Sequence, residues 1–124
     1  MRDTSQRRAI LNALKRAAGP LTPQEVLAAA SREQASLGLA TVYRNLNALA
    51  AAGDVTAVHL PNDTTRFEPA GRGHHHHFCC DACEQVFELS ASCPVTGLEG
   101  ATLPGGFKVE SHELTLYGLC PSCR

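Results

Sequence analysis

The chain has 124 residues with 11 Lys+Arg, 12 Asp+Glu, 6 His and 6 Cys, enough for one ordinary domain or two very small ones whose cores need help from something besides burial. The near-neutral total hides an asymmetry: residues 1–58 carry seven basic and four acidic side chains, residues 59–124 four basic and eight acidic, the pattern of a nucleic-acid-facing half joined to a half of another kind. No apolar run is long enough for a transmembrane helix and the N-terminus has no apolar leader segment, so the expected location is the cytoplasm, where cysteines serve as metal ligands sooner than as disulfides.

Residues 6–18 read as an amphipathic helix with Ile10, Leu14 and Ala17/Ala18 on one face and Leu11 beside it. Gly19-Pro20 ends it. Thr22-Pro23-Gln24-Glu25 then combines an N-cap, a proline suited to the first helical position and the acidic partner of a capping box. Val26, Leu27 and Ala30 make the buried face of that second helix. A polar link through Ser36-Leu37-Gly38 leads to a third helix over residues 40–52, with Val42, Leu46 and Leu49 at i, i+4 and i+7 and Gly53 as its C-cap. Thr41, Tyr43, Arg44 and Asn47 fall off that apolar stripe and face outward. Two short helices, a polar turn and a third helix exposing such residues is the pattern of a helix-turn-helix. Val55 to Leu60 and Thr64 to Phe67, joined by Pro61-Asn62-Asp63, read as a hairpin, and a hairpin after a recognition helix is a wing. Pro69-Ala70-Gly71-Arg72-Gly73 is a flexible joint, where the boundary between domains is placed.

The second half is β-rich. Phe78-Cys79-Cys80 and Val86-Phe87-Glu88-Leu89 read as strands around a tight knuckle, and residues 107–117 as one long strand. Residues 93–106 are expected to hold a helix, short or irregular because its glycines and prolines are poor helix material.

Three groups of residues carry chemistry. Cys80-Asp-Ala-Cys83 and Cys120-Pro-Ser-Cys123 are two Cys-x-x-Cys knuckles, and four thiolates are the preferred set for a closed tetrahedral zinc site. Cys79 is an alternative to Cys80, and Cys93 reads as a small buried side chain. The second group is His74-His75-His76-His77, with Glu68 before it and Glu88 and His112 after. On an extended strand His75 and His77 point to one face and His74 and His76 to the other. One run can thus feed two sites, His75 and His77 with Glu68 and Glu88, and His74 and His76 with His112. Imidazole and carboxylate ligands suit zinc, iron(II) or manganese(II) and bind more exchangeably than four thiolates, as a sensor requires. A solvated histidine patch is the plain alternative. The third group is the outward face of the third helix, where Tyr43 and Arg44 can reach base edges and thymine methyls while Lys15, Arg7 and Arg8 neutralise phosphates.

Together these residues resemble the ferric uptake regulator superfamily. Gly38-Leu-Ala-Thr-Val-Tyr-Arg-Asn-Leu46 is similar to its recognition-helix signature, residues 74–83 to its histidine-rich strand and first knuckle, and residues 112–123 to its last strand and second knuckle. The resemblance implies an α+β protein: a winged helix-turn-helix over residues 1–70 and a small α/β dimerisation domain over residues 71–124 with structural zinc on Cys80, Cys83, Cys120 and Cys123. It implies a regulatory metal on Glu68, His75, His77 and Glu88, a further site using His74, His76 and His112, and DNA contacts through Lys15, Thr41, Tyr43, Arg44 and Asn47. It implies a homodimer that, when loaded with metal, represses by binding a palindromic, AT-rich operator; no enzyme activity, membrane or small organic ligand is expected.

Departures from the family pattern bear on the metal. Iron and peroxide sensors often supply a histidine before the second helix, where this chain has Gly19-Pro20-Leu21. Peroxide sensors usually have Asp where Glu68 stands. Cys93-Pro-Val95 and the Leu-Tyr-Gly-Leu-Cys-Pro-Ser-Cys ending are more similar to zinc uptake regulators. Many of those place a cysteine near residues 68–70; none is present, and His59 in the wing is either its replacement or a surface histidine. Val95 occupies the position of the further site's acidic ligand, with Glu99 as a possible substitute. Zinc is thus favoured as the sensed metal, iron or manganese next, peroxide sensing third. Rivals of another class are a zinc hydrolase, for which 124 residues leave little room, and a metal-storage protein, which would not need Tyr43 or Arg44.

Overall fold

Apolar side chains recurring every three to four residues turn the first half of the chain into three packed helices. In the computed structural model, which describes residues 4–61, 64–71, 76–89, 95 and 97–124, these are α1 (Thr4–Arg16), α2 (Pro23–Ala30) and α3 (Leu39–Ala52). Helix α1 starts and stops two residues earlier than the sequence pattern suggested. Its buried face is Ala9, Ile10, Ala13 and Leu14, while Ala17 and Ala18 lie past its end. Lys15 and Arg16 occupy its last turn, where cations complement the helix dipole.

Helix α2 is fixed at its start by the expected capping box. The Glu25 amide donates to Thr22 Oγ1 at 3.2 Å, and the Thr22 amide donates to Glu25 Oε1 at 2.9 Å. Helix α3 buries Val42, Leu46 and Leu49 and ends at Gly53, whose φ of 83° only glycine adopts without cost. Ile10, Leu14, Val26, Val42 and Leu46 are fully buried at the centre, with Val55 and Phe67 packed against them. Each such aliphatic side chain contributes about 1.5–3 kcal/mol by leaving water.

Val55 and Phe67 come from an antiparallel hairpin, β1 (Val55–Val58) and β2 (Arg66–Pro69), with Val55 opposite Pro69 and Val58 opposite Arg66. Leu21 adds a rung to its outer edge, exchanging both backbone hydrogen bonds with Phe67 at 2.9 and 2.8 Å. The hairpin is therefore joined to the segment that leads into α2. Asn62 and Asp63 of the expected turn lie outside the described residues.

The chain divides into two units, Met1–Gly73 and His74–Arg124. In the second, β3 (His76–Cys80) is central, with β4 (Val86–Leu89) antiparallel on one side and β7 (Thr115–Gly118) parallel on the other. A separate small hairpin pairs β5 (Thr102–Leu103) with β6 (Phe107–Lys108). Two expectations fail here. The helix over 93–106 is not found among the described residues of that stretch, 95 and 97–106. Gly97, Gly100, Gly105 and Gly106 all have φ between 77° and 92°, values no right-handed helix contains. Pro104-Gly105 instead turns the hairpin, closed by the Gly106 amide on the Leu103 carbonyl at 3.0 Å. The long strand over 107–117 is likewise two separate pieces. Its beginning stays with the hairpin, where the Val109 amide donates to Ala101 at 2.9 Å, and its end joins β3. Among the described residues, no helix is long and apolar enough to cross a membrane.

Candidate functional site

The four-cysteine set assembles because two local knuckles are brought together by one strand pairing. Cys80 ends β3, and the turn after it closes through the Glu84 amide on the Cys80 carbonyl at 3.0 Å, with Glu84 itself at φ 64°. Parallel pairing of β3 with β7 sets Cys80 opposite Gly118, and the Asp81 amide donates to the Gly118 carbonyl at 2.7 Å. The chain then turns at once into Cys120–Cys123, closed by the Cys123 amide on the Cys120 carbonyl at 2.9 Å.

The Sγ atoms of Cys80, Cys83, Cys120 and Cys123 all lie within 4.8 Å of one another, with Cys83 and Cys120 at 3.9 Å. Zinc–sulfur bonds of about 2.3 Å in a tetrahedron require sulfurs about 3.8 Å apart, so the four donors fit that ion with little movement. The amides of Cys83 and Cys120 both point at Cys80 Sγ, at 3.5 and 3.4 Å, and lower its thiol from 9.0 to about 6. Cys123 is pushed up to about 12 because it shares protons with Cys120 and Cys80 and is partly withdrawn from water. One sulfur is thus held ready as a thiolate, while another keeps its proton until a cation displaces it. Cys79, the alternative to Cys80, is a free thiol outside the cluster, and Cys93 lies outside the described residues.

His74 and His75 also lie outside the described residues. His77 stands directly opposite Glu88 across β3 and β4, both half-buried. Such cross-strand partners keep their Cβ atoms about 4.5–5.5 Å apart, close enough to share an ion. His76, on the other face, is buried; its ring lies 5.3 Å from that of His112, whose Nδ1 meets Glu99 Oε2 at 2.5 Å. Glu99, His112 and His76 are therefore neighbours in sequence-distant segments. Among the described residues, only the four cysteines bring three or more donors within 4.8 Å.

In the first unit Glu68 is buried on β2, opposite Thr56. His59 stands apart from it. Continuing the register sets His59 beside Thr65, whose hydroxyl lies 3.4 Å from His59 Nδ1. That is three rungs, about 10 Å, from Glu68 and on the opposite face of the ladder. Lys15, Tyr43, Arg44 and Asn47 are exposed, with Thr41 half-buried between them and the core. Arg44 Nη2 donates to Thr41 Oγ1 at 3.1 Å, which holds the guanidinium along the helix. Tyr43 and Asn47, one turn apart, border an open groove of about 380 Å³ with Pro23, Gln24, Thr64 and Thr65.

Sequence reasoning missed Arg66. It is buried on β2, donating to Glu25 Oε1 at 2.9 Å and to the Pro20 carbonyl at 3.3 Å. An arginine amid strand residues after the wing turn is the only signal that could have marked it.

The geometry agrees with the comparisons to known proteins. The pattern of the ferric uptake regulator family matches residues 1–117. A ferric uptake regulation protein of Campylobacter jejuni is 32% identical over 124 residues, 97% of this chain and 78% of that protein. The ferric uptake regulator of Vibrio cholerae superposes with a TM-score of 0.67 at 27% identity, over 97% of this chain and 92% of that one. FurB of Mycobacterium tuberculosis, a zinc uptake regulator, superposes with a TM-score of 0.52 at 29% identity, over 98% of this chain and 94% of that one. The chain belongs to the ferric uptake regulator family, and so to metal-responsive transcriptional regulators, which are not enzymes.

Proposed function

We propose that the chain is a cytoplasmic, homodimeric repressor of metal-uptake genes that responds to zinc and binds a palindromic operator. The observation that carries the reading is the outward face of α3, where Tyr43, Arg44 and Asn47 are exposed on a capped helix beside a wing. Two such helices in a dimer would read half-sites about 34 Å apart, with Thr41 supporting Arg44 and Lys15 neutralising phosphate.

The regulatory ligands proposed are His75, His77 and Glu88 from the second unit and, by family resemblance, Glu68 from the first. The His77–Glu88 register supports the pair. His59 is left out of the set because it faces away from Glu68. A further site on His74, His76, His112 and Glu99 is supported by the approach of Glu99 to His112 and of His112 to His76. The bound cation would supply charge neutralisation and fixed geometry. The side chains listed supply its coordination, and DNA binding follows because the competent arrangement becomes the populated one.

Zinc is favoured by the resemblance of residues 93–95 and 116–123 to zinc uptake regulators and by the likeness to FurB. A reading with iron(II) or manganese(II) is favoured instead by the Campylobacter jejuni relative, which is named for ferric uptake. Selection of bound duplexes from a random pool, in parallel with buffered zinc, with manganese and with a chelator too weak to strip the four cysteines, decides between them. Enrichment of an AT-rich palindrome at low free zinc supports the zinc reading; enrichment with manganese alone moves the assignment to iron or manganese; no enrichment under any metal overturns the repressor reading. The double substitution His75→Ala/His77→Ala should abolish the metal response while the protein stays folded, and an unchanged response would refute the ligand assignment.

A further inference from the structure

Arg66 and Glu25 make a connection that neither metal binding nor base contact explains. Arg66 lies on the wing strand β2 and is only 6% exposed, so its charge is withheld from solvent and from any DNA phosphate. Its guanidinium is spent inward, on Glu25 Oε1 at 2.9 Å and the Pro20 carbonyl at 3.3 Å. The same Glu25 oxygen accepts the Thr22 amide, the bond that starts α2. One residue further along the wing, Phe67 exchanges two backbone hydrogen bonds with Leu21. The wing and the entry to α2 are thus bonded by an ion pair and a backbone bridge at consecutive positions. These segments are also opposite walls of the groove that Tyr43 and Asn47 border: Pro23 and Gln24 on one side, Thr64, Thr65 and Phe67 on the other.

We propose that Arg66 is a positioning residue for DNA recognition, acting through Glu25 to hold the wing at a fixed spacing from the α2–α3 helix pair. A wing tied only by its turn could tilt on β1. Clamped to the N-cap of α2, it moves with the helix pair as one body, so phosphate contacts from the wing and base contacts from α3 fall in register without being ordered on binding. The proposal rests on the reading that the α3 face meets DNA.

The test compares Arg66→Met, Arg66→Lys, Glu25→Gln and the Arg66→Met/Glu25→Gln double variant, all zinc-loaded and assayed well below their melting temperatures. Glu25→Gln keeps an acceptor for the capping box while removing the charge. The probes are a duplex recovered from the random-pool selection and a mixed-sequence duplex of equal length. Arg66→Met is expected to weaken the selected duplex about tenfold, with Glu25→Gln similar and the double variant no worse than either single one. Arg66→Lys should recover part of the loss. Binding to the mixed duplex, and the slope of log affinity against log salt, should not change, because a buried arginine releases no counterions.

A slope reduced by about 0.9 would show Arg66 on a phosphate and overturn the positioning role. Equal losses on both duplexes, tracking the unfolded fraction, would reduce the pair to a stabilising contact, and additive losses in the double variant would break its link through Glu25. Tyr43→Ala and Arg44→Ala separate the two readings. If they leave selective binding intact, the α3 face is not the reader, whatever Arg66 does.

Discussion

The two units reach stability by different means. The first buries a continuous cluster of aliphatic side chains from three helices and a hairpin, with Ile10, Leu14, Val26, Val42 and Leu46 wholly out of water. The second, among its described residues, buries Val86, Cys80, Cys120 and His76, while Phe107, Leu103, Tyr117 and Leu119 remain exposed. A core so thin cannot offset the conformational entropy of the segment by burial. What the second unit has instead is four sulfurs placed to be joined by one ion, a staple that converts binding energy into folding energy. The division also suits function: the half that must keep one shape on DNA is built on packing, and the half that must respond to metal is built on ligands.

The largest effect should come from removing that staple. Structural zinc is worth about 10–16 kcal/mol of apparent binding free energy in small domains. Cys80→Ser, or stripping by a strong chelator, should unfold residues 76–124 while the helical unit keeps its dispersed amide spectrum. A two-dimensional amide spectrum measures both at once, and collapse of both units together would break the contrast.

Acid should weaken the same centre, and the signs can be worked out thiol by thiol. Cys80 is lowered to about 6 from 9.0, so its ionised form stabilises the metal-free fold fully above pH 9 and progressively less as the pH falls to 6. Cys123, raised to about 12, stays protonated throughout that window and contributes a constant amount below pH 9. Metal loading at pH 7 must therefore expel the Cys123 proton, while Cys80 arrives largely ionised. Calorimetry in buffers of different protonation enthalpy should detect that release. Affinity should then fall about tenfold per pH unit for each proton displaced, and more steeply once the pH passes below 6 and Cys80 also takes a proton. An affinity independent of pH would exclude thiolate coordination.

The helical unit should answer to packing instead. Leu46→Ala, at a fully buried site between the helices, should cost about 2–5 kcal/mol in denaturant unfolding of the first unit. Zinc retention by the second unit should be unchanged, and loss of zinc from this variant would show that the units are not independent.

What the sequence made legible was whatever is local. The capping box needs three consecutive spacings and was read off Thr22 and Glu25. The Cys-x-x-Cys knuckles needed only their own turns, and α3 was legible because Val42, Leu46 and Leu49 repeat with the helical period. Arg66 was not, since its partner Glu25 lies 41 residues away and no periodicity links them. The histidine run was legible as a strand with two faces, yet the opposition of His77 to Glu88 and the approach of Glu99 to His112 depend on register and on a loop path that spacing alone cannot give. The stretch before β6 was misread as a helix because glycine and proline content says only that a helix is poor, not that the left-handed glycines Gly97 and Gly100 replace it.

Smaller effects test local geometry on each side of the contrast. Thr22→Ala deletes the side-chain acceptor of the α2 cap and should cost about 1 kcal/mol. The Glu25–Arg66 contact gives that loss a second route, through the wing, so the variant should also show faster amide exchange at Phe67. A loss confined to α2 would show that the bridge to Leu21 holds the wing alone.

The mildest prediction concerns Glu84, the only described residue other than glycine with positive φ, at 64° directly after the first knuckle. A side chain held there costs about 1–2 kcal/mol relative to glycine, since its Cβ crowds the neighbouring carbonyl. Glycine pays part of this back through the greater freedom of its unfolded chain. Glu84→Gly should therefore raise the stability of the metal-loaded second unit by less than about 1 kcal/mol. The gain should be larger relative to the total in the metal-free protein, where no ion enforces the turn. Resistance to chelation, read as the rate at which a competing chromophoric ligand removes zinc, checks the sign. A faster removal in Glu84→Gly would mean that the left-handed residue is held by contacts of its own carboxylate, and that the knuckle is pre-shaped by side-chain bonding rather than by the metal.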